Sequence, residues 1–247
     1  MLPAIDCVGC GACANICPKN CLNMVADKDG FLHPEIQKDN CVNCGACEKI
    51  CPVINKNPKR KESIQTYAVY SKDDNVRISS SSGGLFYTLS KYIIENGGLV
   101  YGAAFDENLY LSHRGVDSIE DLHLLQGSKY IQSDIKLCFR EIKEQLAANR
   151  LVLFCGTPCQ VEGLLCYLKK PYENLFTLDF ICHGVPSPKA WQEYIKHQEK
   201  VFSSKACSAS FRDKSNGWHS FSSKLEFVNK VEYLEVHHKD AYMKAFL

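Results

Sequence analysis

Hydrophobic and polar positions change period several times along this chain, and each change marks an element. Leu22-Asn23-Met24-Val25, a polar Asp27-Lys28-Asp29-Gly30 and then Phe31-Leu32 read as strand, turn and strand of a hairpin. Further on, Gln65–Tyr70 predicts a strand. Gly83–Asn96 predicts an amphipathic helix with Leu85, Phe86, Leu89, Tyr92 and Ile93 on one face, stopped by Asn96-Gly97-Gly98. Leu99–Phe105 reads as a strand, Asp134–Ala148 as a helix, Leu151–Phe154 as a buried strand and Thr157–Leu168 as a third helix. Leu175–Ile181 is another predicted strand, and Ser187–Lys200 a fourth helix with Ser at its cap and Pro in its first turn. This alternation predicts an α/β domain with a mixed, largely parallel sheet.

Composition narrows the picture a little. With 247 residues, 45% of them hydrophobic, and a net charge of +1, the chain has room for one domain besides a small N-terminal unit. No apolar stretch approaches the ~20 residues of a membrane span. The balanced charge gives no support for nucleic acid as a partner. Asn55-Lys56-Asn57-Pro58-Lys59-Arg60-Lys61-Glu62-Ser63 is a linker by composition. It separates a unit over residues 1–56 from one over 65–247, with 57–64 between them. Its basic residues read as a solvated strap in preference to a docking patch.

The cysteines change the picture most. CVGCGACANICP, from Cys7 to Pro18, and CVNCGACEKICP, from Cys41 to Pro52, share the spacing C-x2-C-x2-C-x3-C-P. In that spacing three thiolates wrap one 4Fe-4S cluster while the fourth reaches the neighbouring cluster. Cys7, Cys10, Cys13 and Cys51 are therefore assigned to one cluster, and Cys41, Cys44, Cys47 and Cys17 to the other. Gly9, Gly11 and Gly45, with Ala12 and Ala46, keep side chains out of the loops so that backbone N–H groups can point at the sulfurs. Residues 1–56 resemble a bacterial two-cluster ferredoxin, an α+β fold, and would carry electrons. A structural zinc site fits poorly, because its paired knuckles stand farther apart. A disulfide framework fits worse: the N-terminus lacks a basic-then-apolar signal and the count of 15 cysteines is odd. Reduced thiols and a cytoplasmic location follow. Cys21 breaks the repeat and reads as a small core residue.

Three junctions in the second unit carry candidate chemistry. Ser79-Ser80-Ser81-Ser82-Gly83-Gly84 runs into a helix start, where N–H donors and the helix dipole suit an anion such as a nucleotide pyrophosphate, although a plain serine cap is the commoner use of such a sequence. Cys155-Gly156-Thr157-Pro158-Cys159-Gln160 lies between a strand and a helix, the crevice where α/β sheets bind ligands. Thr157 would cap that helix, Pro158 occupy its first turn, and Cys159 face the positive end of the dipole. Asp179-Phe180-Ile181-Cys182-His183-Gly184-Val185-Pro186 ends the next strand. If the two strands are neighbours, Cys159 and Cys182 face one crevice.

SSSSGGLFYTLSKYIIENGGLVYGAAF, GSKYIQSD, LVLFCGTPCQ and DFICHGVPSP, in that order over residues ~65–215, resemble the coenzyme F-420 hydrogenase/dehydrogenase beta-subunit family. The resemblance implies a flavin, usually FAD, held by Ser82, Gly83, Gly84, Lys129 and Tyr130. It implies a further 4Fe-4S cluster beside the flavin, with ligands from Cys159 and Cys182. The family completes that cluster with a later cysteine pair, so the chain is expected to be shortened at its C-terminus and to hold half of the ligand set, unless Cys155 or Cys207 substitutes. Cys155 reads equally as a buried strand residue, and Cys138 and Cys166 as core. The terminal Asp240–Leu247 reads as an interrupted amphipathic helix without a cap. His183 is read as a turn residue with a rival role as proton donor to flavin or substrate.

The reading is an iron–sulfur flavoprotein oxidoreductase. Two 4Fe-4S clusters exchange electrons with FAD, which reduces or oxidises a deazaflavin such as F-420 or another small organic substrate. Its electron partner would be a ferredoxin or a dehydrogenase or hydrogenase subunit. The rival readings are a non-catalytic electron-transfer subunit and a binding protein with structural clusters only.

Overall fold

A computed structural model of the chain describes residues 6–55 and 65–246. The predicted linker, 57–64, lies outside the described residues. The N-terminal part holds two short helices, α1 (Ala12–Ile16) and α2 (Ala46–Lys49), around an antiparallel hairpin of β1 (Leu22–Ala26) and β2 (Leu32–Ile36). Asp27 closes the hairpin: its Oδ1 accepts from the N–H groups of Asp29 and Phe31 at 2.9 and 3.0 Å.

The second part opens with α3 (Asp74–Ser79) and α4 (Leu85–Glu95). Its main sheet contains β3 (Leu99–Phe105), β4 (Leu111–Val116), β5 (Val152–Cys155) and β6 (Leu175–Leu178) in the order β4-β3-β5-β6. β3 pairs with β4 antiparallel and with β5 parallel, and β5 pairs with β6 parallel, so the sheet is mixed and mostly parallel as predicted. Crossovers through α5 (Cys138–Ala147) and α6 (Pro158–Leu168) connect the parallel strands. α7 (Pro188–Phe202) leads to an antiparallel sheet of β7 (Ala206–Asp213), β8 (Ser222–Phe227) and β9 (Glu232–Val236), and α8 (Ala241–Phe246) closes the described chain. Among the described residues no helix is long and apolar enough to cross a membrane.

Several local expectations are corrected. Residues 65–70 form no strand; they run exposed, tied at their end by the Ser71 N–H donating to the Gly83 carbonyl at 2.6 Å. The C-terminal helix does have a cap, because buried Asp240 accepts from the Met243 N–H at 2.8 Å and from the hydroxyls of Tyr194 and Tyr233 at 2.6 and 2.9 Å. The sequence reading contained neither β4 nor the third sheet.

The two parts share one core. Cys10, Ala12 and Ile50 of the first pack with Ile135, Phe139, Ile142, Val161 and Leu164 of the second. Arg140 on α5 caps the last turn of α1, donating from Nε to the Asn15 carbonyl at 2.6 Å and from Nη2 to the carbonyls of Ala14 and Cys17 at 3.2 and 2.8 Å. A cation at those orphan carbonyls complements the helix dipole. Helix α6 approaches closely only because residue 163 is Gly: a Cβ there would stand 3.0 Å from both Cβ and Sγ of Cys10.

Candidate functional site

Two small hollows lie in the N-terminal part. The first, about 40 Å3, is lined by Cys7, Cys10, Cys13, Cys47 and Cys51. The second, about 30 Å3, is lined by Cys41, Cys44, Cys47 and Cys17, with Cys21 beside them. Positive φ values at Gly9, Gly11, Asn43 and Gly45 coil both loops. Burial pushes the Cys10 and Cys13 thiols up to about 12. Thiolates crowded there need cations between them. Among the described residues no three His, Cys, Asp or Glu side chains converge on a single metal ion; the thiols stand around two hollows. Each hollow is lined by five thiols drawn from both halves of the segment, with Cys47 common to the two, and thiolates are the soft donors that 4Fe-4S clusters take. Cys21 is buried, as expected, and its sulfur lies 3.3 Å from that of Cys17.

A third cavity, of about 610 Å3, opens at the strand ends of the main sheet. That is within the size range of small-molecule and cofactor sites. Ser82, Gly83, Gly84, Lys129, Tyr130, Cys182 and His183 all line it. The Ser81 hydroxyl accepts from the Ser128 N–H at 2.9 Å, which ties the serine loop to the Lys129 loop. Lys129 donates from Nζ to the carbonyl oxygens of Gln126 at 2.7 Å and Gly127 at 3.4 Å, and burial lowers it to about 8. His183 stacks on Phe246 with centroids 5.1 Å apart, and Phe246 lies 5.3 Å from Tyr130. Gly83 has a structural reason of its own: a Cβ there would stand 2.8 Å from the Val69 carbonyl oxygen.

Cys159 is placed differently. Thr157 caps α6 in a capping box with Gln160 and Pro158 takes the first turn, as the sequence predicts. The Cys159 thiol, however, turns toward the first hollow, 4.0 Å from the Val8 carbonyl and close enough to Cys7 and Cys10 to raise their pKa values. It does not line the cavity, whereas Cys155 and Cys182 do. The described thiols therefore do not form a four-ligand cube site beside the cavity. Cys138 is buried; Cys166, half-buried, sits 3.7 Å from Glu162 Oε1; and exposed Cys207 points its thiol at the Glu226 carbonyl.

The sequence reading also missed a buried chain of hydrogen bonds in the cavity wall. Gln160 Nε2 donates to Ser133 Oγ at 2.9 Å, the Ser133 hydroxyl lies 3.1 Å from His113 Nδ1, and His113 Nε2 lies 3.1 Å from the Cys155 carbonyl. A carbonyl only accepts, so Nε2 carries the ring proton and Nδ1 accepts from Ser133. Burial lowers His113 to about 4, so it stays neutral at pH 7. The alternation of Leu111, His113 and Gly115 was the available signal for β4, and a polar residue in the buried register obscured it.

Residues 149–244 match the family described as the C terminus of the coenzyme F420 hydrogenase/dehydrogenase beta subunit. That is the family the motifs resemble. Ahead of the beta-subunit match, residues 6–55 match the family described as 4Fe-4S dicluster domain. A chain of the F420-reducing NiFe hydrogenase complex from Methanosarcina barkeri, solved in a xenon derivative, is similar at 17% identity with a TM-score of 0.43. The similarity covers 68% of this chain and 58% of that chain, so this chain spans less than two thirds of its length. No curated protein matches the chain.

Proposed function

We propose that the chain is an iron–sulfur flavoprotein oxidoreductase, exchanging electrons between two 4Fe-4S clusters and an FAD in the large cavity to reduce or oxidise a deazaflavin such as F420 or another small organic substrate. The clusters would supply one-electron carriers, and the flavin the exchange between single electrons and a pair. One observation carries the reading: α6 and the turn that leads into it reach both the first hollow and the cavity. Gly163 abuts Cys10 on one side while Gly156, Thr157 and Gln160 line the cavity on the other. The first hollow is thus the inner station, and the second, with exposed Cys44, the outer one.

In the cavity, the N–H groups at the start of α4 and the Ser82 hydroxyl suit a pyrophosphate. Lys129 adds a cation and Tyr130 an aromatic face. His183, at the exposed rim, is the candidate proton donor to flavin or substrate. Gln160, Ser133 and His113 hold the Cys155–Gly156 strand end in place and leave no ring nitrogen of His113 free for proton transfer.

Exposed Cys44 and Val42 favour a second reading, in which a redox protein docks at the outer hollow and the chain only relays electrons. Anaerobic reconstitution separates the two. The expected product holds about eight irons and eight sulfides with one flavin. The flavin should be reduced through the clusters by dithionite or reduced ferredoxin and reoxidised by a small molecule with no partner protein. Reoxidation only when a partner enzyme is added selects the relay, and stoichiometric zinc without a chromophore removes both readings.

A further inference from the structure

Resting on the reading of the large cavity as a flavin site, we propose that Arg212 is its phosphate-recognising residue, so that the cavity selects a phosphorylated flavin over the bare one. β7 carries one residue more than β8 between the pairs Ser210–Lys224 and Asp213–Ser222. Bulges of this kind re-aim a side chain and gather beside functional sites. Here Phe211 enters the core while Arg212 lines the cavity.

The Arg212 guanidinium lies over the Phe221 ring, 4.3 Å from its centroid, and Nη1 donates to the Tyr130 hydroxyl at a long 3.4 Å. Its Nε is buried and donates to no group among the described residues. A buried donor left unpaired is costly, and a charged fork of this shape matches phosphate oxygens in pairs. Arg212 and Lys129 line the cavity, and no Asp or Glu does among the described residues. The strand end that presents Arg212 is itself fixed: Lys214 donates to the carbonyls of Ser80 and Arg77 and lies 3.5 Å from the Trp218 ring centroid. The same strap therefore joins Arg212 to the serine loop.

The test titrates the iron-loaded full chain anaerobically with FMN and with riboflavin, which differ by one phosphate. Wild type should bind FMN at least about tenfold tighter than riboflavin, the worth of a charge-assisted pair. Arg212→Gln should cut the ratio at least about threefold with riboflavin affinity unchanged, Lys129 and the α4 N–H groups keeping the remainder, and Arg212→Lys should restore part of it. A ratio that survives Arg212→Gln overturns the proposal. So does an equal loss of both flavins in both variants, because that marks a structural role. If wild type binds neither flavin, the flavin reading fails by itself and inorganic pyrophosphate becomes the probe. Pyrophosphate binding that Arg212→Gln weakens about tenfold or more would keep the phosphate site, and binding indifferent to it would overturn that site too.

Discussion

The two cysteine runs share ligand spacing and most of the residues between the ligands, yet they differ at positions 9/43, 14/48 and 15/49 and in what surrounds them. In the first, Gly9 is buried against Gln132 and Leu32, and a Cβ on Gly11 would stand 3.0 Å from that of Ile135. In the second, Asn43 takes the place of Gly9 with the same left-handed turn, φ 52° against 64°, and a Cβ on Gly45 would meet nothing within 4 Å. Ala14 and Asn15 are buried where Glu48 and Lys49 are exposed. Asn15 Nδ2 donates both to Gly11 within its own loop, at 2.9 Å, and to Lys136 across the junction, at 2.8 Å. The cysteines and the positive-φ positions thus set what the loop can bind, and the residues between them set what the loop leans on. Because hydrogen bonding and solvent access tune cluster potentials, two loops of one spacing are free to hold unequal potentials.

The contrast breaks most severely if α6 is pushed off the first loop. Gly163→Val drives a side chain into Cys10 and should cost roughly 3 kcal/mol. Iron analysis should fall from about eight atoms to about four, with the exposed second site kept; loss of all iron together would show that the two loops do not differ in this way.

Acid should loosen the docked side next. His113 is held near 4 when folded, against about 6.5 unfolded, so the unfolded chain takes up its proton first. The stability present above about pH 6.5 is then lost as pH falls toward 4, by up to about 3 kcal/mol. Burial and the nearby Lys129 charge keep the ring neutral, against the Cys155 carbonyl, whose hydrogen bond favours the protonated form. Denaturant midpoints at pH 7 and pH 4.5 check this, and a slope that persists in His113→Gln assigns the effect elsewhere.

The smallest effects come from exchanging the runs at one position. Gly9→Asn keeps a tolerated φ but meets Gln132, and should cost roughly 2 kcal/mol. Asn43→Gly should stay within about 1 kcal/mol. Equal midpoint shifts in the two variants would erase the comparison.

Much of this was legible in sequence because it was local. The cysteine spacing, the Asp27 hairpin and the caps at Thr157 and Ser187 each depend on residues within a few positions of one another. What failed depended on partners far along the chain. Gln65–Tyr70 has a strand-like pattern but pairs with no strand among the described residues. β7 to β9 pack on an aromatic cluster around Trp191, Phe211 and Tyr242 that only the folded chain assembles. For Cys159, sequence placed the thiol at a helix start and could not say which side of that helix the first loop would occupy. The aim of Arg212 was not legible in sequence, since it depends on a bulge defined by the register with β8.

Gly163 has a consequence for inheritance. The two-cluster segment is no free-standing cassette, because the seat for one of its loops is cut into α6 by a missing side chain. A transplanted segment would arrive without its seat. Substitutions at positions 9, 10, 11, 135 and 163 are therefore tied to one another, because each of these residues touches the seat or its facing loop.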